Sequence, residues 1–155
     1  MTVYAQNSTY TEHELDLSGY DTFTRMLSDI GINVPDMELD TEMTKGEYLR
    51  SLIALFGYSE TVSNYNATQN AYENEINIAY SMGWISKADK EKIISDEALT
   101  LKEAAVWMLN ALGYGLKISL TSDNEENYFT EATSLKLTSG ITSGWDNSIS
   151  FAQML

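Results

Sequence analysis

The sequence predicts an all-α protein built from three helix-loop-helix repeats. In each of three segments a helical stretch ends at a turn, a polar loop follows, and an apolar helix closes the segment. Each closing helix begins with a hydroxyl residue followed three positions later by Glu or Gln, which is the pattern of a capping box. The three pairs are Thr44 with Glu47, Thr100 with Glu103, and Ser150 with Gln153. Each pair occupies the same position within its segment, which indicates a helix start at the same place in all three segments.

The closing helices are the best specified elements. A wide apolar stripe at helical spacing follows the first cap, and a similar run follows the second. These runs are Tyr48, Leu49, Leu52, Ile53, Leu55 and Phe56, and then Ala104, Ala105, Val106, Trp107, Met108, Leu109 and Leu112. Gly57 and Gly113 stand where a left-handed residue ends a helix. The opening helices are apolar on one face only.

Composition divides the chain into six predicted segments, because stretches rich in Ser, Thr and Asn separate the repeats. They are 1–19 as an N-terminal extension, 20–58 as repeat 1, 59–71 as a linker, 72–115 as repeat 2, 116–126 as a linker, and 127–155 as a truncated repeat 3. The closing helix of repeat 3 has barely one and a half turns before Leu155. We therefore expect self-association or domain swapping to cover its apolar neighbours.

The charge balance argues against two classes of partner. Among 155 residues, 23 are acidic and 9 basic, giving a net charge of −14, while 43% are hydrophobic. The chain can fill a core, so the acidity belongs to the surface of a folded protein. Such a surface repels phosphate backbones and anionic lipids. No run approaches the ~20 apolar residues of a membrane span, and Met1-Thr2-Val3-Tyr4 opens without the features of a signal peptide. We expect no nucleic-acid or membrane partner.

Catalytic and metal chemistry have little support in the sequence. There is no cysteine, and the single histidine, His13, lies in a polar stretch. No phosphate loop, nucleophile elbow or dinucleotide fingerprint occurs. An acidic calcium-type loop is the competing motif, with Asp36, Glu38, Asp40, Glu42, Thr44 and Glu47 at positions 1, 3, 5, 7, 9 and 12. Thr41 replaces its turn glycine, and Glu47 is needed as a cap. We expect no enzyme activity, no cofactor and no metal, with calcium at 36–47 left open.

Two pairs of segments resemble the S-layer homology (SLH) repeat of bacterial surface proteins. Ile30-Gly31-Ile32 and Met82-Gly83-Trp84 are similar to its turn, while Met43-Thr44-Lys45-Gly46-Glu47 and Leu99-Thr100-Leu101-Lys102-Glu103 are similar to its Thr-Arg-Ala-Glu-like motif. The resemblance runs from about Tyr20 to the end. It implies three repeats in a pseudo-threefold arrangement, an extracellular place at the bacterial cell surface, and grooves between repeats that bind secondary cell-wall polysaccharide, often anionic.

The resemblance also implies a set of glycan-binding residues. The motif cation corresponds to Lys45, Leu101 and Phe151 in the three repeats, and Lys102 lies one position later. The candidates are Thr44, Lys45, Glu47, Trp84, Thr100, Lys102 and Trp145, in which lysine supplies charge, helix starts supply donors, and tryptophan supplies a stacking face. The structural alternative treats the Thr and Glu residues as simple caps and Trp84 as a packed turn residue.

Two functions remain in competition at the level of sequence. The first is a non-catalytic anchoring module that binds wall polysaccharide. The alternative is a degenerate structural or protein-interaction module without glycan binding, which the loss of the motif cation in two repeats favours. The discriminating feature is whether any groove keeps a cation beside an exposed aromatic ring.

Overall fold

The computed structural model describes residue 25, the ranges 41–64, 72–119, 124–141 and 143–150, and residue 153. The chain divides into two compact units, Met1–Val34 and Pro35–Leu155. Of the first unit only Arg25 is described; it is helical and exposed. Four predicted features lie outside the described residues: the extension with His13, the opening helix of repeat 1 apart from Arg25, the calcium-loop residues 36–40, and Phe151.

The described ranges contain seven helices and no strand, which confirms the all-α class. They are α1 Lys45–Leu55, α2 Ser59–Asn64, α3 Glu73–Ser81, α4 Lys87–Lys92, α5 Leu101–Ala111, α6 Gly115–Ser119 and α7 Asn124–Ser134. None of them is long and apolar enough to cross a membrane. The two predicted closing helices are therefore present as α1 and α5, and each begins directly after its predicted cap.

The apolar stripes of α1 and α5 form much of the core. Four stripe residues of α1 are buried, as are four apolar residues behind the cap of α5: Tyr48, Leu49, Leu52 and Ile53, then Ala104, Ala105, Trp107 and Leu109. The two helices meet where the Tyr48 hydroxyl donates to the carbonyl of Ala104 at 2.8 Å. Removing these side chains from water is the main favourable term for the fold.

Helix ends follow the predicted left-handed turn. Gly57 has a φ of +79°, its N–H donates to the Ala54 carbonyl, and the next N–H donates to Ile53, so the last carbonyls of α1 are satisfied. At the end of α7, Lys136 takes the glycine's place with a φ of +60°. A lysine there pays the steric cost that glycine avoids.

A closed ring of three backbone hydrogen bonds joins the residues that precede the three caps. The Met43 N–H donates to Ile149, the Ile149 N–H donates to Leu99, and the Leu99 N–H donates to Met43, at 2.8 to 3.0 Å. All three side chains are at most 1% exposed. Flanking β-bridges pair Thr44 with Ala98, Thr100 with Ser148, and Ser150 with Glu42. Buried amides and carbonyls thus find partners between segments more than 45 residues apart.

The segments expected to be linkers contain short helices. Helix α2 lies in the segment 59–71, while all of α6 but its first residue and the start of α7 lie in 116–126. The loop before the second cap also holds α4, which begins at a fourth capping box made by Ser86 and Asp89. Local side-chain caps explain how a six-residue helix forms in a charged connector.

Candidate functional site

The predicted site residues lie mostly at two junctions around the starts of α1 and α5. The first junction comprises residues 44–47, the loop 95–97 and Glu103. The second junction comprises residues 100–103, the loop 145–147, and Glu125 and Phe129 of α7. Both junctions flank the hydrogen-bonded ring, because each begins at a cap residue next to it.

The caps engage the predicted Thr and Glu side chains within the chain. The Glu47 N–H donates to the Thr44 hydroxyl oxygen at 3.3 Å, and the Glu47 carboxylate accepts from the Thr44 N–H at 2.9 Å. Thr100 and Glu103 repeat this geometry at 3.2 and 3.1 Å. At the third start, the Ser150 N–H donates to the Gln153 side chain at 3.0 Å. These groups act as helix caps in the structure.

The next amides of each helix also have partners inside the chain. At the first junction the Lys45 N–H donates to Glu97 and the Gly46 N–H to Ser95, at 3.0 and 2.9 Å. At the second, the Leu101 N–H donates to Asn147 and the Lys102 N–H to Trp145, again at 3.0 and 2.9 Å. The helix starts were expected to offer free donors to a ligand. The neighbouring loop takes those donors instead.

The positive charge of Lys45 is paired with two carboxylates. Its Nζ lies 2.9 Å from Glu103 and 3.1 Å from Glu97, and its side chain is 14% exposed. Desolvation lowers the pKa of Lys45, but the hydrogen bonds to Glu103 and Glu97 outweigh that effect and raise the pKa above its ordinary value. The Glu103 carboxylate also accepts from the Thr100 cap, so it links the starts of α1 and α5. The predicted motif cation is held by two carboxylates.

Lys102 stands in a more open position. Its Nζ pairs with Glu125 of α7 at 2.5 Å, and the two side chains are 35% and 61% exposed. Lys45 is the first residue after its cap, whereas Lys102 is the second. Because successive helical residues are about 100° apart, Lys102 faces α7 rather than the neighbouring helix start. The pair therefore lies on the surface of the second junction.

An aromatic pair also lies at the second junction, where the Lys102 N–H donates to the Trp145 carbonyl. The rings of Trp145 and Phe129 are 5.2 Å apart and nearly perpendicular, and Phe129 is 48% exposed. Glu125 and Phe129 are four residues apart on α7, so their side chains are neighbours on one helix face. Trp145 was expected to be the exposed ring, but it is half-buried against a small core of Ala105, Leu109, Ile118 and Ala132. Its Nε1 is buried without a hydrogen-bond partner in the described part of the chain.

Trp84 lies away from both junctions. It is 3% exposed, because the rings of Phe56 and Tyr58 at the far end of α1 pack on it at 5.3 and 6.1 Å. Its carbonyl accepts from the Asn110 amide at 2.9 Å. The ring offers no open face for a sugar, and its geometry is that of the packed turn residue of the structural alternative.

Cation and aromatic pairs also occur away from the second junction. Arg50 lies 4.3 Å over the Tyr72 ring, and a Cβ added at Gly46 would meet atoms of the same ring at 2.5 Å. Lys90 lies 4.8 Å over Tyr80, and Lys117 lies 5.8 Å over Tyr114. In each pair the cation covers one face of the ring. Lys102 differs because its recorded side-chain partner is Glu125, one helical turn from the exposed Phe129 ring.

The residues that sequence reasoning missed are Phe129, Glu125 and Glu97. Phe129 was assigned to the apolar face of an opening helix, and Glu125 to a linker. Their separation from Lys102 along the chain is what concealed them, since no local pattern reports a contact 23 residues away. The spacing of Glu125 and Phe129 on one helix face was the available signal.

Within the described ranges, no second site is found in a cavity or a metal cluster. A hollow of about 90 Å³ between α5 and the segment 137–153 is lined by apolar side chains, Tyr48 and Gln153, which is small beside ordinary ligand pockets. No group of three or more His, Asp or Glu side chains in the described ranges could hold a metal. Glu47 serves as a cap, and Glu42 accepts a hydrogen bond from Ser148.

Comparison of the chain with protein-family models, with curated proteins and with solved structures finds no match.

Proposed function

We propose that this chain is a non-catalytic module of three SLH-like repeats that attaches a protein to the bacterial cell surface. The closed ring at Met43, Leu99 and Ile149 supports a pseudo-threefold arrangement, since equivalent positions before each cap make equivalent hydrogen bonds. The first-turn amides at Lys45 and Leu101 bond to matching positions of the following loop. This pattern is what three similar repeats around an axis would produce.

Binding of wall polysaccharide is supported by one arrangement: at the second junction a partly exposed cation is paired with Glu125, one helical turn from an exposed aromatic ring. Lys102 is 35% exposed and Phe129 is 48% exposed. Sugar recognition needs an apolar face for the ring and fixed polar groups for the hydroxyls. The second junction offers both, and the Trp145 ring packs against the Phe129 ring in an edge-to-face arrangement.

The first junction favours the competing function, a structural module without glycan contacts. Lys45 has two carboxylate partners, and Trp84 is buried at the other end of α1. A module that kept the repeat framework and lost its sugar contacts would look like this half of the molecule. The two candidates therefore differ in whether the second junction binds.

Co-sedimentation with Gram-positive sacculi, before and after acid extraction of their secondary polysaccharide, tests the proposal. Binding is expected to disappear on extraction. Phe129→Ala is expected to weaken binding by about tenfold, because exposed aromatic anchors dominate contact energies. Leu116→Ala is the matched control, since Leu116 is 81% exposed on α6 and lies outside the second junction.

Three outcomes would overturn the proposal or part of it. Equal failure to bind both sacculus preparations, by protein with a helical circular dichroism spectrum, would favour the structural module. Binding that survives polysaccharide extraction would assign the contact to the wall itself. A Phe129→Ala variant that binds like wild type would remove the second junction from the mechanism.

A further inference from the structure

The lysines that contact α7 at and near the second junction are matched by carboxylates. Lys102 pairs with Glu125 of α7, and Lys117 of α6, outside the junction, pairs with Glu131 of α7 at 3.4 Å. Glu126 on α7 and Asp146 beside Trp145 are both exposed and add negative charge. An anion approaching this surface meets paired lysines, additional carboxylates, and the field of a chain with a net charge of −14.

The Lys102 and Glu125 pair is suited to a different kind of ligand. A lysine ammonium only donates hydrogen bonds and an ionised carboxylate only accepts them, whereas each hydroxyl of a sugar does both. Two neighbouring hydroxyls can therefore form hydrogen bonds to the two side chains at once, while Lys102 and Glu125 remain paired. Phe129, one helical turn from Glu125, is placed to take the apolar side of the same sugar ring.

We propose that the second junction selects a wall glycan without net negative charge, a hydroxyl-rich neutral polysaccharide rather than an anionic one. This inference rests on the proposed function, because it names the class of glycan that the same site takes. It reverses the expectation of an anionic polysaccharide that the SLH resemblance implies. The pairing of Lys102 with Glu125, and the carboxylates around them, carry the proposal.

Sacculi with neutralised carboxylates provide the first test. Carbodiimide coupling to ethanolamine converts the carboxylates of the wall polysaccharide to neutral amides. Wild-type protein is expected to bind these sacculi at least as well as untreated ones at physiological salt. At low salt, where electrostatic repulsion is strongest, it is expected to bind them about threefold better or more. Binding that is lost on amidation would overturn the neutral-glycan proposal while leaving the anchoring function intact. Absence of binding to both preparations would instead overturn the anchoring function, and this inference with it.

A charge-matched pair of variants provides the second test. Glu125→Gln removes the partner of Lys102 and should improve binding to untreated, anionic sacculi by about threefold or more. Glu91→Gln is the control, because Glu91 pairs with Lys87 on exposed α4 and the variant has the same net charge. Equal binding by the two variants would overturn the role assigned to the Lys102 and Glu125 pair.

Discussion

The first and second junctions share a backbone and differ in their side chains. In both, a Thr and Glu capping box starts the helix, and the next two amides donate to the following loop at 2.9 to 3.0 Å. In the first junction Lys45 is enclosed by Glu97 and Glu103, whereas in the second Lys102 faces outward to α7. Moving the cation by one position changes its partners and its exposure. The two junctions therefore share their backbone hydrogen bonds, whereas the side chain at each position determines the charge and exposure of the surface.

The position after the motif cation shows the same contrast. Gly46 and Lys102 are equivalent, because each is the second residue after its cap. Gly46 is buried under the Tyr72 ring, which leaves no room for a side chain. Lys102 has open space and uses it for the pair with Glu125. At this position the first junction is packed, whereas the second is partly exposed to solvent.

Truncating the buried side chain of Leu99, a residue of the hydrogen-bonded ring, has the largest expected effect. Leu99 is 0% exposed, so Leu99→Ala should lower the free energy of unfolding by about 3 kcal/mol, through lost burial and the cavity that remains. Urea unfolding followed by circular dichroism measures the change. Leu116→Ala, at an exposed position, should stay within about 0.5 kcal/mol of wild type. A loss below 1 kcal/mol at Leu99 would contradict its place in the core.

Adding one methyl group separates the two junctions next. Gly46→Ala gains about 1 kcal/mol of helix propensity, but its Cβ would lie 2.5 Å from the Tyr72 ring. The ring must move, and overpacking of this kind should leave a net loss of about 1 to 2 kcal/mol. Lys102→Ala at the equivalent position should change stability by less than about 0.5 kcal/mol. Thermal unfolding of the two variants side by side would refute the contrast if both lost stability equally.

Tyr48, which follows the first junction on α1, makes the free energy of unfolding depend on pH in the alkaline range. Burial raises the pKa of the Tyr48 phenol, so the unfolded chain loses this proton first and stability falls as the pH rises above about 10. Tyr48→Phe removes that term, with a cost of about 1 kcal/mol at neutral pH for the lost hydrogen bond to Ala104. Urea unfolding from about pH 8 to about pH 11 should show a shallower decline for the variant. Superimposable profiles would contradict the assignment.

Removing the two junction lysines has the smallest effect. Lys45→Met loses two partly buried ion pairs and should cost about 0.5 to 1 kcal/mol, while Lys102→Met should cost less than that. The raised pKa of Lys45 makes its contribution present below about pH 10.4 and lost as the pH rises through the folded value. The difference between Lys45→Met and wild type should therefore shrink at alkaline pH. An equal cost for the two substitutions would contradict the enclosure of Lys45.

Local features of the fold were predictable from the sequence, and contacts between segments were not. Capping boxes at Thr44 and Thr100 depend on residues three positions apart, so the starts of α1 and α5 could be assigned from the sequence. The same pattern at Ser86 and Asp89 was present in the sequence and marks α4. Lys45 lies 52 residues from its partner Glu97, and no local spacing reports such a pair.

The aromatic candidates show the same limit. Trp84 follows a glycine turn, which suits either a packed or an exposed ring. Phe56 and Tyr58, more than 25 residues earlier, cover it and decide the outcome. Trp145 is half-buried for the corresponding reason, because α7 brings Phe129 against it. Sequence patterns predicted the residue types of the proposed sugar site, whereas tertiary packing determines which of these residues reach the surface.

The ring at Met43 constrains how the protein can be made. A ribosome adds residues in order, and Ile149 is synthesised 106 positions after Met43. Until then the Met43 amide lacks its acceptor, and the Leu99 carbonyl lacks its donor. Closing so long a loop is entropically costly and slow. The ring can therefore close only after the segment that carries Ile149 has been translated, and shorter nascent chains expose apolar surface that chaperones can bind.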